Sequence, residues 1–293
     1  MRAVSQALYP FRSNFFDRGA GLRMHYLDEG EGAPVLMLHG NPSWSFYYRN
    51  LVSALSGTNR CIVPDHIGMG LSDKPGDEAY AYTLAQRIDD LEALLDALNL
   101  SEPVTLVVHD WGGMIGFGWA VRHPERVARI VILNTGAFPL PSDKAFPGLL
   151  RLTRTPLGAF LVRGFNAFSL GATRVGCTRS KMSPEISRAY RAPYDSWQNR
   201  IATLRFVQDI PLAPSDAGFA LVEEVAANLH RFNTTPAMIV WGGKDFVFDE
   251  AFLRQWRKIL PQAKVHLLAD AGHYVLEDAA EEVIPLISDF IRA

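Results

Sequence analysis

Short apolar runs separated by longer amphipathic stretches set the rhythm of this chain. Val35 to Leu38, Cys61 to Pro64, Val104 to Val108, Ile130 to Leu133, Ala237 to Trp241 and Val265 to Leu268 are each four or five residues long and mostly apolar. Runs of that length without alternation predict strands buried on both faces, and their alternation with helical patterns predicts a mostly parallel sheet covered on both sides. Between the second and third runs, Leu84, Ile88, Leu91, Leu95 and Leu98 recur at helical spacing, and Thr83 with Gln86 supplies a capping box at the start. The chain therefore reads as an α/β protein.

The rhythm stops between about Pro139 and Asn233, where no strand-like run appears and Pro, Gly, Phe and Arg dominate. An inserted helical unit is expected there, with residues 1–138 and 234–293 forming two parts of one core and 139–233 a cap. The apolar stretch Leu157 to Ala172 is interrupted by Arg163 and too short to span a bilayer, so it is expected to line a substrate pocket. From Lys144 to Arg205, nine Arg and two Lys stand against only Glu185 and Asp195. That imbalance reads either as a solvated surface or as a docking face for an acidic partner.

Composition narrows the function classes. With 48% hydrophobic residues among 293, the chain has ample material for a core, and a net charge of -2 gives no nucleic-acid footprint. Cys61 and Cys177 match no metal or redox spacing, Met1 to Gln6 lacks an apolar leader core, and no run of eighteen apolar residues occurs. The expectation is a soluble cytoplasmic protein with reduced thiols and no metal or cofactor.

The third apolar run continues into His109-Asp110-Trp111-Gly112-Gly113. A strand running into a Gly-rich turn and a helix is a nucleophile elbow, and a carboxylate at its apex suggests attack on carbon, often sp3 carbon. The plainer reading of Asp110 is a helix N-cap. A base is supplied by His273, in the turn Asp270-Ala271-Gly272-His273-Tyr274 after the last strand, which completes the chain order nucleophile, acid, histidine. Asp245 follows the penultimate strand and suits the acid that orients the imidazole; Asp249 competes, with an N-cap as its simpler role. The Asn41 amide, in His39-Gly40-Asn41-Pro42, and the Trp111 indole N–H are neutral donors able to converge on an anion leaving the reacting carbon.

These motifs, together with Pro64-Asp65-His66-Ile67-Gly68-Met69-Gly70-Leu71-Ser72-Asp73-Lys74-Pro75, resemble the α/β-hydrolases of the haloalkane dehalogenase group nearly end to end. The resemblance implies Asp110 as nucleophile, His273 as base, Asp245 as acid and Asn41 with Trp111 as the leaving-group pair. Asn134 occupies the other acid position of the group and cannot serve as a carboxylate. Within the group, Ser43-Trp44-Ser45-Phe46-Tyr47-Tyr48-Arg49, Phe165-Asn166-Ala167-Phe168-Ser169, Ala192-Pro193-Tyr194-Asp195-Ser196-Trp197-Gln198-Asn199-Arg200 and Phe206-Val207-Gln208-Asp209-Ile210-Pro211-Leu212 resemble the β-lactone decarboxylases of bacterial long-chain olefin biosynthesis. That likeness implies an apolar substrate, conversion of cis-3,4-dialkyl β-lactones to cis-alkenes and carbon dioxide, and assembly with a β-lactone synthetase and a ketone-reducing enzyme. Hydrolytic haloalkane dehalogenase is the alternative. Epoxide hydrolase, with Tyr190 and Tyr194 polarising the epoxide oxygen, and a silent ligand receptor or cofactor-free oxygenase stand further off.

Overall fold

The computed structural model describes residues 4–293; Met1–Ala3, the start of the N-terminal stretch considered above, lie outside the described residues. Its centre is an eight-stranded sheet of β1 (Asn14–Gly19), β2 (Leu22–Glu29), β3 (Pro34–Leu38), β4 (Arg60–Pro64), β5 (Val104–Asp110), β6 (Val127–Thr135), β7 (Ala237–Gly242) and β8 (Lys264–Leu268). The spatial order is β1-β2-β4-β3-β5-β6-β7-β8, with β3 to β8 parallel and β1 and β2 antiparallel additions at one edge.

All six expected strands are present, whereas β1 and β2 were not anticipated. They carry Asp17, Arg18, Arg23, Asp28 and Glu29, and β1 alternates half-buried with exposed residues, so no apolar run marks them. The turn between them holds Gly19 and Gly21 at φ values of +89° and +74°, which glycine adopts without a side-chain clash.

The strands are apolar throughout because both faces are covered. Leu36, Leu38, Leu106, Val108, Ile130 and Ile132 point to one side, beneath α2 (Leu84–Leu98) and α3 (Trp111–Ala120); Val35, Met37, Val107, Val131 and Leu133 point to the other, beneath α12 (Ala280–Arg292) and α1 (Arg49–Leu55). At the start of α2 the Thr83 hydroxyl accepts from the Gln86 N–H at 3.3 Å. The expected capping box is half made, since the Gln86 side chain turns instead to Asp90 at 2.9 Å.

Between β6 and β7 the chain runs through six helices and no strand: α4 (Gly148–Thr153), α5 (Pro156–Phe165), α6 (Ala167–Val175), α7 (Pro184–Arg191), α8 (Ile201–Gln208) and α9 (Phe219–Asn228). Helices α10 (Glu250–Ile259) and α11 (Val275–Asp278) complete the fold with α12. Among the described residues no helix is long and apolar enough to cross a membrane.

Candidate active site

Four loops at the carboxyl ends of parallel strands meet at one point, the position where open α/β sheets bind ligands. Asp110 ends β5 and caps α3 in a left-handed conformation, φ +50° and ψ −126°, that L side chains rarely adopt. Tight surroundings over-determine that strain. A side chain on Gly112 would run into the Leu38 carbonyl, one on Gly113 into Thr135, and one on Gly40 into the Asp110 carboxylate itself. The Thr135 hydroxyl donates to the Asp110 carbonyl and fixes the elbow from β6. Asp110 is thus the apex of an elbow and not a simple cap: no side-chain capping bond forms at this helix start.

The residues singled out from the sequence converge here. His273 Nδ1 lies 2.7 Å from Asp245 Oδ2, and its Nε2 lies 3.7 Å from Asp110 Oδ2, longer than a hydrogen bond. The backbone N–H of Asn41 donates to Asp110 Oδ1 at 2.6 Å. Its side-chain amide donates to the Thr203 carbonyl on α8 at 3.0 Å, tying the inserted helices to the β3 loop and leaving its second N–H uncommitted among the described residues. Trp111 lines the cavity, and its indole N–H has no protein partner among the described residues. Asp249 caps α10 by accepting from the Ala251 N–H at 3.0 Å, which separates it from the histidine.

The electrostatics set the charge states. Burial raises the Asp110 carboxyl above its ordinary value, although His273 and the N–H groups of Asn41 and Trp111 pull the other way. Burial opposes charge on His273, but the neighbouring Asp245, with its hydrogen bond, and Asp110 outweigh it and raise the imidazole. The two neighbouring carboxyl groups thus favour the protonated imidazole, against the effect of burial.

Three contributors had no role in the sequence reading. Asn134, at φ +32°, donates to Asp245 Oδ2 at 3.1 Å and to the Gly242 carbonyl at 3.0 Å, so the residue at the other acid position positions the acid. His109 Nε2 donates to the His273 carbonyl at 2.9 Å, and burial lowers its own pKa well below the ordinary value, keeping it neutral. Phe248 stacks on the His273 ring at 5.9 Å and 13°. The sequence signals were adjacency to the nucleophile for His109 and the polar residue near the end of β6 for Asn134.

Above these groups lies a cavity of about 270 Å³, otherwise walled by apolar residues such as Phe138, Leu140, Leu161, Val162, Phe168 and Phe252. The expectation that Leu157 to Ala172 lines the pocket holds only for one face. Leu161, Val162, Ala167, Phe168, Gly171 and Ala172 do so, while Leu157, Phe160 and Phe165 point outward, because α5 and α6 each turn only part of their circumference inward. Tyr190 and Tyr194 are buried outside the cavity wall, bonded to Glu277 at 2.7 Å and to the Ser43 carbonyl at 3.2 Å, which removes the donors an epoxide would need.

Residues 33–280 match a family described as alpha/beta hydrolase fold. The chain is 61% identical to the cis-3-alkyl-4-alkyloxetan-2-one decarboxylase of Shewanella oneidensis, over 97% of this chain and 89% of that one. It is 52% identical to the protein of the same name from Xanthomonas campestris, over 97% of each. Among solved structures, the haloalkane dehalogenase DatA from Agrobacterium tumefaciens superposes with a TM-score of 0.86 at 26% identity, covering 98% of this chain and 99% of that one.

Proposed function

The chain belongs to the α/β-hydrolase fold family, among the cis-3-alkyl-4-alkyloxetan-2-one decarboxylases, and we propose that it converts cis-3,4-dialkyl β-lactones to cis-alkenes and carbon dioxide. The observation that carries the reading is 61% identity along 97% of the chain, which takes in the inserted helices as well as the catalytic loops. Residues 139–233 act as the cap, and 1–138 with 234–293 as the core that holds the chemistry.

Asp110 is the nucleophile. Its carboxylate attacks the oxygen-bearing sp3 carbon of the lactone; the C–O bond breaks, and the ring oxygen leaves as a carboxylate between the Asn41 amide and the Trp111 indole. The substrate is then an alkyl ester of Asp110 with that carbon inverted. Anti elimination breaks the C–CO2 bond, its electrons form the alkene, and Asp110 departs with the ester C–O electrons. Inversion followed by anti elimination is a net syn course, so a cis-lactone yields a cis-alkene. No water is consumed. His273, held by Asp245, keeps a positive charge beside Asp110 and balances the carboxylate as it leaves. Assembly with a lactone-forming and a ketone-reducing enzyme, in the cytoplasm, completes the proposal.

A hydrolytic dehalogenase would use the same five residues but must add water to the ester, and that difference supplies the test. With a cis-β-lactone in H₂¹⁸O, gas chromatography should find alkene as the main product and mass spectrometry little ¹⁸O on Asp110. Asp110→Asn should lower turnover on the order of 10⁴-fold or more with an unchanged melting curve. A labelled β-hydroxy acid as main product would make the enzyme a hydrolase, and alkene formation by the variant would remove Asp110 from the reaction.

A further inference from the structure

Seven of the ten large apolar side chains that stand exposed among the described residues belong to the inserted unit of residues 139–233: Leu149, Leu152, Leu157, Phe160, Phe165, Val175 and Trp197. Isolated exposed apolar residues are ordinary, but a concentration in one unit marks a surface that meets something else. These are joined to the site. Leu149 (63% exposed), Leu152 (40%) and Val175 (49%), together with Phe246 (42%) from the β7 loop, also line the cavity, so its apolar wall continues out to the surface without a polar rim at these positions. On the outer side of α5, the helix whose Leu161 and Val162 line the cavity, Phe160 packs edge-on to Phe165 at 5.7 Å and lies 6.1 Å from Trp197, with the Arg163 guanidinium 4.7 Å over the Trp197 ring. Helix α5 therefore presents apolar side chains both to the cavity and to the outside.

The charge on the same unit is sorted in a telling way. Residues 139–233 carry twelve Lys and Arg against seven Asp and Glu, while the rest of the chain carries seventeen against twenty-four. Some of these cations are already neutralised: Arg179 pairs with Asp270 and Glu282, and Arg205 with Asp77. Arg151, Arg174, Arg188 and Arg191 have no carboxylate partner among the described residues. The last three gather where α6 meets α7, a seam set by the bond between Ser187 and Thr173 at 3.0 Å, and Arg174 adjoins the mouth residue Val175.

From this juxtaposition of an apolar cavity mouth, an exposed aromatic cluster and unpaired arginines, we infer that the cap docks on an anionic lipid surface and admits apolar molecules directly from it. Aromatic and aliphatic side chains enter the headgroup–acyl boundary while Arg and Lys meet the lipid charge, the combination that holds peripheral helices on membranes. An acidic protein would satisfy the arginines but leave no reason for the cavity wall to open among exposed leucines. A bilayer answers both, because it brings an apolar phase to the mouth.

The test is co-sedimentation of the whole chain with vesicles of phosphatidylcholine alone and of phosphatidylcholine mixed with phosphatidylglycerol, without substrate. Binding is expected on the mixed vesicles, weak on the neutral ones, and reduced by added salt. Arg174→Ser, Arg188→Ser and Arg191→Ser together should lower partitioning about 10²-fold, at roughly fivefold per cation. Phe160→Ser with Phe165→Ser should release the protein at every salt concentration. Both variants should melt as the wild type does and turn over a soluble short-chain β-lactone unchanged, since none of these residues lines the cavity. No sedimentation with mixed vesicles, or binding that survives both variants, overturns the inference. So does self-association in sedimentation velocity that the same substitutions abolish without any vesicle binding, which would give the face to a second copy. Vesicle binding is read without turnover, so it stands or falls independently of the decarboxylase reading.

Discussion

At the floor of the cavity every reactive group is held from more than one direction; at the roof the side chains are held mainly by packing. Asp110 receives the Asn41 N–H and sits in a strained elbow, and Asp245 takes His273 and Asn134 on one oxygen and the Val247 N–H on the other at 2.8 Å. The roof offers Leu161, Val162, Phe168 and Ala172, whose contacts have no direction, on helices whose outer faces remain exposed. The difference follows from what each half must do. Charge developing at a reacting carbon is stabilised only by donors already aimed at it, whereas a long alkyl chain needs volume and dryness. Two of the positive-φ residues, Asp110 and Asn134, accordingly lie at the floor.

If the floor acts through aimed donors, removing one should cost rate and not fold. Asn41→Ala and Trp111→Phe are each expected to slow lactone turnover by roughly 10²- to 10³-fold, the scale of one lost anion donor. Single-turnover kinetics should place the loss in ring opening, where the carboxylate leaves. Unchanged rates in both variants would dissolve the contrast between floor and roof. The Asn41 variant also loses its bond to Thr203 on α8, so the comparison with Trp111→Phe separates the donor from the tie between core and cap.

Much of the floor was legible because it depends on local sequence. A Gly-rich turn after an apolar strand, a histidine after the last strand and an acid after the penultimate one are each visible within a few residues, and the sheet brings their loops together. What escaped depends on pairing across the chain. Asn134 reaches Asp245 over 111 residues of separation, and the Asn41 group that contacts the nucleophile is its backbone N–H, which no side-chain inventory reveals. Strands β1 and β2 escaped because an edge hairpin exposed on one face needs no apolar run. In the roof, the apolar content of Leu157 to Ala172 was plain, but which residues face inward depends on how α5 and α6 lie over the sheet.

The inner face of the roof offers a second, smaller test. Gly171 lines the cavity, and a Cβ built there meets nothing within 4 Å. Gly171→Leu should therefore fill alkyl space without disturbing its neighbours. Expected is a fall in kcat/KM for long-chain lactones of about 10- to 100-fold, the range for a misfit of a few carbons in an apolar pocket, with short-chain lactones unaffected. Equal losses for both chain lengths would mean that the substitution reaches the floor.

The smallest effect is the most direct comparison of inside with outside, because it lies within one helix. On α5, Val162 is 2% exposed and lines the cavity, while Leu157, five residues earlier, is 62% exposed. Val162→Ala removes two buried methyl groups and should lower the unfolding free energy in urea by about 1.5 kcal/mol, at about 0.8 each. Leu157→Gln removes apolar surface that water already touches, so its effect should stay within about 0.5 kcal/mol. Should Leu157→Gln destabilise the isolated protein as much as Val162→Ala does, the outer face is covered in the free chain, and the roof would then be closed on both sides.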